Sequence, residues 1–150
     1  MTDREQLRAD IKRRLRRYRE IKEERKQIAG ELGRLEAIAA APSSPNLDGM
    51  PKGPGAGNPV ERMALRVCEL EEKYKEQMVA LVAAQLEIEN LIGGLAPAER
   101  RLARLRYIEG LTWEDIGAVL NYSNSQIHRY HRAMLEHLVD AEIERRNAKK

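Results

Sequence analysis

The sequence predicts an all-α protein in which two long coiled-coil helices precede a small domain of three shorter helices. Apolar residues recur at three- and four-residue spacing through most of the chain, and helix-capping residues border a short motif near the C-terminus. Aromatic residues make up only 4% of the chain, and phenylalanine is absent. This composition excludes a large globular core, so the fold gains its stability from long helices, from partners or from both.

The first coiled-coil helix is predicted over residues 1–40 and the second over residues 60–93. Their apolar residues alternate at three and four positions, which is the spacing of a coiled-coil seam. The seam consists of Leu7, Ile11, Tyr18, Ile21, Ile28, Leu32 and Leu35 in the first helix and of Val67, Leu70, Tyr74, Leu81, Ala84, Ile88 and Leu91 in the second. Arg14 and Arg25 interrupt the first seam, and Gln77 interrupts the second. Because the helices have matched lengths and opposite net charges, we expect them to pair antiparallel, either within one chain or between two chains.

A Pro/Gly-rich linker at residues 41–59 separates the two helices. Its helix breakers are Pro42, Pro45, Gly49, Pro51, Gly53, Pro54, Gly55, Gly57 and Pro59. Neither a helix nor a strand survives such a density of these residues. The linker is long for a hairpin turn, so the helices can also be exchanged between protomers, and we expect a homo-oligomer.

Residues 94–142 are predicted to form the small C-terminal domain. Its three helices span about 97–109, 112–120 and 123–142. Pro97 suits the first position of a helix, and Gly110 is placed to end that helix. The remaining residues, 143–150, are expected to form a basic, frayed tail.

The last two helices have the pattern of a helix-turn-helix. Thr112 can cap the first of them, and Asp115 three residues later can complete a capping box. Gly117 offers no side chain at the point where a second helix must pass close. Asn121 accepts the left-handed conformation that ends a helix, and Ser123 is a suitable N-cap for the next helix. A tight turn between two short helices is typical of DNA-binding domains.

The last helix carries the candidate base-reading residues on one face. These residues are Asn124, Ser125, Gln126, His128 and Arg129, and the opposite, apolar stripe consists of Ile127, Tyr130, Met134, Leu135 and Leu138. Asn124 and Gln126 can each form a paired hydrogen bond with adenine, and Arg129 can do so with guanine. No acidic residue occurs between Asp115 and Glu136, so a strand of phosphates can approach this face.

A second group of residues suits contacts with DNA phosphates. Such contacts fix the position of a protein on the duplex but do not distinguish one base sequence from another. The group consists of Arg100, Arg101, Thr112, Trp113 and Arg132. Trp113 suits two roles equally, because its indole N–H can donate to a phosphate and its ring can cover the edge of the core.

The first coiled-coil helix contains a further basic cluster. It consists of Lys12, Arg13, Arg14, Arg16, Arg17 and Arg19. Because these residues are spread around the helix, a solvated exterior is favoured over a second contact with DNA.

Several functional classes find no support in the residue types. No acid pair, nucleophile–histidine arrangement or metal-binding box has a useful spacing, so we expect no enzyme, no cofactor and no metal. His128 and His131 are expected to be solvated side chains. The longest apolar run, at residues 78–84, is too short to span a membrane. Cys68 is alone and is expected to be a small buried hydrophobe, and no signal peptide is recognisable, which indicates a cytoplasmic protein.

Several segments resemble known proteins. They are Leu95-Ala-Pro-Ala-Glu-Arg, Arg106-Tyr-Ile-Glu-Gly-Leu-Thr-Trp-Glu-Asp-Ile-Gly, Tyr122-Ser and Arg132-Ala-Met-Leu-Glu-His-Leu. Over residues 95–138 the chain resembles region four of bacterial sigma factors and, more closely, the phage-encoded RinA/ArpU-type transcriptional regulators. Residues 41–62 resemble that group more loosely.

The resemblance implies a regulator of phage late genes that binds double-stranded promoter DNA in the bacterial cytoplasm. In such a regulator the coiled coil either sets the geometry of a dimer or contacts bacterial RNA polymerase. It also implies that the reading helix begins at Ser123. Small amides and a histidine stand where sigma factors usually have several charged residues, so the promoter preference of those factors does not carry over.

Two other functions are consistent with this pattern. A phage DNA-packaging component similar to a small terminase subunit also combines a DNA-binding module with helices that build a ring. A coiled-coil interaction protein with a degenerate motif is the third hypothesis. The mass of the oligomer and the salt dependence of DNA binding distinguish the three.

Overall fold

The computed structural model describes residues 2–41 and 58–150 of the chain. All regular secondary structure within these ranges is helical, which confirms the predicted fold class. This part of the chain forms the helices α1 (Asp3–Ala40), α2 (Pro59–Ile92), α3 (Pro97–Ala103, continued by a π-helical turn over Arg104–Ile108), α4 (Trp113–Leu120) and α5 (Asn124–Ala148). None of these described helices is both long enough and apolar enough to cross a membrane.

The ends of two helices differ from the predicted ones. The linker predicted at 41–59 lies almost entirely outside the described residues, and its last residue, Pro59, is the first residue of α2. Helix α5 continues to Ala148, so most of the tail expected over 143–150 is helical. Ion pairs from Glu142 to Arg145 (3.1 Å) and to Arg146 (3.3 Å) connect successive turns of this extension.

The chain forms two compact units, and both long helices contribute to each of them. Unit 1 consists of Met1–Ile21 and Leu81–Lys150, and unit 2 consists of Lys22–Ala80. Unit 1 therefore combines the beginning of α1 with the end of α2 and with the three C-terminal helices.

The core of unit 1 draws on all five helices. Its buried residues are Leu7, Ile11, Leu15, Tyr18 and Ile21 in α1, Leu81, Ala84, Ile88, Leu91 and Ile92 in α2, Leu95 before α3, Leu102, Ala103, Leu105 and Tyr107 in α3, Ile116 in α4, and Ile127, Met134, Leu135, Leu138 and Val139 in α5. Leu15 is completely buried, although the seam predicted from the sequence passed through its neighbour Arg14. Arg14 instead donates to Glu87 of α2 at 2.7 Å.

Helix α1 runs antiparallel to α5 within unit 1. Arg4 donates to Asp140 at 2.8 Å, and one turn later Arg8 donates to Glu136 at 2.7 Å. Arg4 also donates to Glu136, so this carboxylate joins two turns of α1 to α5. Because residue numbers rise on α1 as they fall on α5, later turns of α1 come beside earlier turns of α5.

In unit 2 the two long helices also pair antiparallel. Arg25 donates to the Tyr74 hydroxyl at 2.6 Å, and its guanidinium lies 4.6 Å from the centroid of that ring. Further along α1, Glu31 accepts a hydrogen bond from Arg66 at 3.0 Å. These contacts join α1 and α2 of the same chain. Cys68, expected to be buried, is exposed, because it lies away from the paired face.

Candidate nucleic-acid interface

Helix α4 begins at a side-chain cap. Thr112 has an extended backbone, and its hydroxyl accepts a hydrogen bond from the Asp115 N–H at 3.1 Å. This bond is half of the capping box predicted for the pair. The hydroxyl keeps its own proton, so it can still donate to a phosphate as the sequence suggested.

The turn between α4 and α5 passes close over Gly117. Asn121 adopts the predicted left-handed conformation (φ 61°, ψ 43°), and the Tyr122 N–H then donates to the Gly117 carbonyl at 2.9 Å. A Cβ atom on Gly117 would lie 2.9 Å from the Tyr122 carbonyl oxygen and 3.8 Å from the Ile127 side chain. The close approach predicted at this glycine is therefore present, and backbone rather than a flexible side chain enforces it.

Helix α5 begins with a complete capping box. The Ser123 hydroxyl accepts from the Gln126 N–H at 3.2 Å, and the Gln126 side-chain oxygen accepts from the Ser123 N–H at 2.9 Å. Ser123 was predicted as a cap, but this return bond was not, although the Ser-x-x-Gln spacing is its signal. A paired hydrogen bond between Gln126 and adenine uses the same oxygen, which has a second lone pair left after the cap bond.

The predicted reading face of α5 is turned away from the core. Asn124, Ser125, His128, Arg129 and Arg132 are exposed, and Gln126 is partly exposed. On the other side of the same helix, Ile127 and Met134 are completely buried. The polar side chains of the first turns therefore form one continuous exposed surface, beginning at a rigid, doubly capped helix end.

Tyr130 departs from the predicted apolar stripe. Its side chain is 38% exposed, and its ring lies 4.8 Å from that of Tyr122 in the turn. The Arg129 guanidinium lies 5.6 Å from the Tyr130 ring. Two tyrosines next to the reading face were thus not recognised from the sequence, because helical spacing alone does not show where the core ends.

Two of the predicted phosphate contacts lie far from the start of α5. Arg100 is partly buried and donates to the Gly93 carbonyl at 3.4 Å, and Arg101 is exposed beside it. Their neighbour Glu99 accepts a hydrogen bond from His137 at 2.7 Å. His137 lies about 20 Å along α5 from its first residue, given the rise of an α-helix. The structure therefore separates this pair of arginines from the reading face.

Trp113, the first residue of α4, contacts side chains of α3 and α5. The Arg106 guanidinium of α3 lies 4.3 Å from its ring, and the His131 ring of α5 meets it edge-on at 4.5 Å. The His128 ring lies 5.4 Å away. The tryptophan ring therefore covers the edge of the core, which is one of its two predicted roles. Its contact with a phosphate stays a prediction.

His131 is not the solvated side chain that was expected. It shares a hydrogen bond with the hydroxyl of the buried Tyr107, next to Trp113. Burial lowers its pKa from 6.5 to about 4, and the positive charges of Lys12 and Arg106 act in the same direction. The imidazole is therefore neutral at neutral pH. In the described part of the chain, no three histidine, cysteine or acidic residues come together as metal ligands would.

Comparison with known families covers the C-terminal part of the chain. Residues 91–138 match the family model of sigma-70, region 4, a segment that includes α3, α4 and the first turns of α5. Searches among curated proteins and solved structures find no match. The matched family is a DNA-binding domain. Residues 91–138 thus form a helix-turn-helix domain similar to region 4 of sigma-70 factors.

Proposed function

We propose that the chain is a sequence-specific transcriptional regulator of the phage late-gene type, which reads promoter DNA with helix α5. The observation that carries this proposal is the exposed polar surface formed by the first turns of α5. It contains donors and acceptors suited to base edges, and no carboxylate occurs on α5 before Glu136. A major groove admits a helix that projects in this way from its domain.

The side chains of this surface divide into two kinds of contact. Asn124, Ser125, His128 and Arg129 are assigned to base edges, with Arg129 bidentate to a guanine. Arg132, one turn further on, and the Thr112 hydroxyl are assigned to phosphates. Gln126 has a double role in this scheme, because it caps the helix and also faces the groove.

The transcriptional part of the proposal depends on likeness to a family. Region 4 of sigma-70 factors supports a role in transcription and a contact with bacterial RNA polymerase. The phage late-gene assignment depends on the resemblance of residues 95–138 to RinA/ArpU-type regulators.

The test begins with the purified full chain and a random library of DNA duplexes. We expect the chain to enrich one sequence motif, and we expect its affinity for that motif to fall steeply as salt is added. Substitution of Arg129→Ala should cost about 1–3 kcal/mol of discrimination at one guanine and leave the other positions of the motif unchanged.

The matched control is Arg145→Ala, which removes the same charge near the end of α5. Arg145 lies about 24 Å along the helix from Arg129, so its loss should leave base preference unaltered. Failure to enrich any motif, or an equal preference in the Arg129 and Arg145 variants, would contradict the proposal.

A further inference from the structure

The basic residues of α1 occupy different environments. Arg13 is paired with Asp10 on its own helix, and Arg14 is paired with Glu87 of α2. Lys12, Arg16, Arg17 and Arg19 form no ion pair with any residue that the structure describes. Unpaired cations on a folded domain are available to an anionic partner.

Three of the unpaired cations lie on one face of α1. Lys12, Arg16 and Arg19 follow each other at four and three positions, which places them on a single stripe of the helix. The stripe continues the line of Arg8, which is paired with Glu136 of α5. Since α1 and α5 are antiparallel here, the stripe extends beside the turns of α5 that precede Glu136, toward the reading end. Arg17 lies outside this stripe.

Direct neighbours place the stripe at the start of the helix-turn-helix. The Arg19 side chain covers Gly110, because a Cβ atom there would lie 3.2 Å from the arginine Nε. Gly110 has a φ of 74° and comes two residues before the cap of α4. The charges of Arg16 and Arg19 lower the pKa of Arg106, although burial is the larger cause. These α1 cations are therefore close to the Arg106 side chain that lies over Trp113.

This end of the domain also carries negative charge. Glu114 and Asp115 lie in the first turn of α4. The helix dipole stabilises carboxylates at this position, but the same carboxylates repel a phosphate. A DNA strand that passes the start of α4 therefore needs cations from elsewhere. The stripe on α1 provides three of them, all within unit 1.

We propose that Lys12, Arg16 and Arg19 contact the phosphate backbone of the DNA beside the start of α4, so that the DNA-binding surface extends from the helix-turn-helix onto α1. This inference rests on the proposed function and reverses the solvated role that the sequence favoured for the cluster. The contacts are independent of base sequence and add affinity at every site.

The test measures how the affinity of the full chain for DNA varies with salt. The probes are the duplex enriched from the random library and an alternating A·T duplex of the same length. Each phosphate contact on B-DNA contributes about 0.9 to the slope of log K against log salt concentration. The double substitution Arg16→Gln/Arg19→Gln should therefore reduce the slope by roughly 1.8 on both probes.

Two further variants serve as controls. Arg13→Gln/Arg17→Gln removes the same charge from the other side of α1 and should leave the slope unchanged. Arg16→Lys/Arg19→Lys keeps the charge and should retain the slope of the natural chain. Helix content and thermal unfolding of every variant, followed by circular dichroism, show that the fold is intact.

The outcomes separate this inference from the function on which it rests. If the chain enriches a motif but the two glutamine pairs have equal slopes, the α1 contact is refuted and the function stands. An acidic protein surface then becomes the alternative partner for the stripe. If no motif is enriched and the chain does not bind the alternating A·T duplex, both proposals are refuted.

Discussion

Gly117 accepts no side chain, because the turn between α4 and α5 folds back over it. Its absent Cβ would approach the Tyr122 carbonyl to 2.9 Å, and that carbonyl belongs to a turn already fixed by the left-handed Asn121. The turn can yield only if the Tyr122 hydrogen bond to Gly117 is distorted as well. The geometry of the helix-turn-helix is therefore sensitive to a single methyl group.

We predict that Gly117→Ala lowers the free energy of unfolding by about 1–3 kcal/mol, as overpacking of a tight site does. The measurement is urea unfolding followed by the fluorescence of Trp113, the only tryptophan. Gly33→Ala is the control, because its Cβ would meet nothing within 4 Å inside α1 and should be neutral or stabilising. Equal stability of the two variants would show that the turn does not need the glycine.

His131 makes the stability of unit 1 depend on pH. Its pKa is about 4 in the folded chain, whereas the ordinary value is 6.5, so the unfolded chain binds a proton that the folded chain does not. Between these values stability should fall as the pH falls. Full stability from this group is present above pH 6.5.

The prediction is checked by measuring the urea midpoint of the natural chain and of His131→Asn from neutral pH down to about pH 4.5. The natural chain should lose stability faster, since the variant has no imidazole to protonate. Glu136 and Glu89, whose pKa values are lowered from 4.5 by arginine partners, begin to add their own loss below about pH 5. Both proteins carry these two carboxylates, so that loss cancels in the comparison. Parallel curves would mean that the partly buried imidazole does not titrate as proposed.

Helix ends were predictable where a local residue decides them. Thr112, Asn121 and Ser123 act within a few residues of themselves, so their roles as caps were correct from sequence alone. Gly110 also ends a helix as predicted. The sequence did not show that the last turn before it is π-helical, with Glu109 donating to the Arg104 carbonyl at 2.9 Å.

The far end of α5 was harder to predict. No proline or glycine follows Leu138, and Glu142 pairs with two arginines of the next turn, so the helix continues to Ala148. The basic residues there had suggested a frayed tail, because the prediction considered their positive charges without the acidic residue that pairs with them. The i,i+3 and i,i+4 spacing from Glu142 was the signal that was overlooked.

Unit 1 is assembled from segments far apart in the chain. Leu15 of α1 is completely buried in the same unit as the helix-turn-helix, and Arg4 and Arg8 connect α1 to α5. The first turns of α1 are thus part of the unit that contains the helix-turn-helix. A three-helix domain with so few aromatic residues gains from them the core that it lacks alone.

We predict that Leu15→Ala destabilises the helix-turn-helix by about 2–5 kcal/mol, although Leu15 is distant from it in sequence. Unfolding reported by Trp113 fluorescence measures the effect inside the C-terminal domain. The matched control is Leu86→Ala in the same unit, where the leucine is 60% exposed and its loss should have little effect. If both variants unfold alike, α1 does not contribute to the core around Trp113.

Local patterns in the sequence were sufficient to predict the helical class, the caps, the glycine under the turn and the exposed face of α5. The reason is that helix periodicity and capping act over one or two turns. Only the folded chain showed that α1 lies beside α5, that His131 is partly buried and that Tyr130 is exposed. It also showed where the stripe formed by Lys12, Arg16 and Arg19 lies. These features depend on which distant segment packs against each helix, and residue spacing within one helix carries no information about that neighbour.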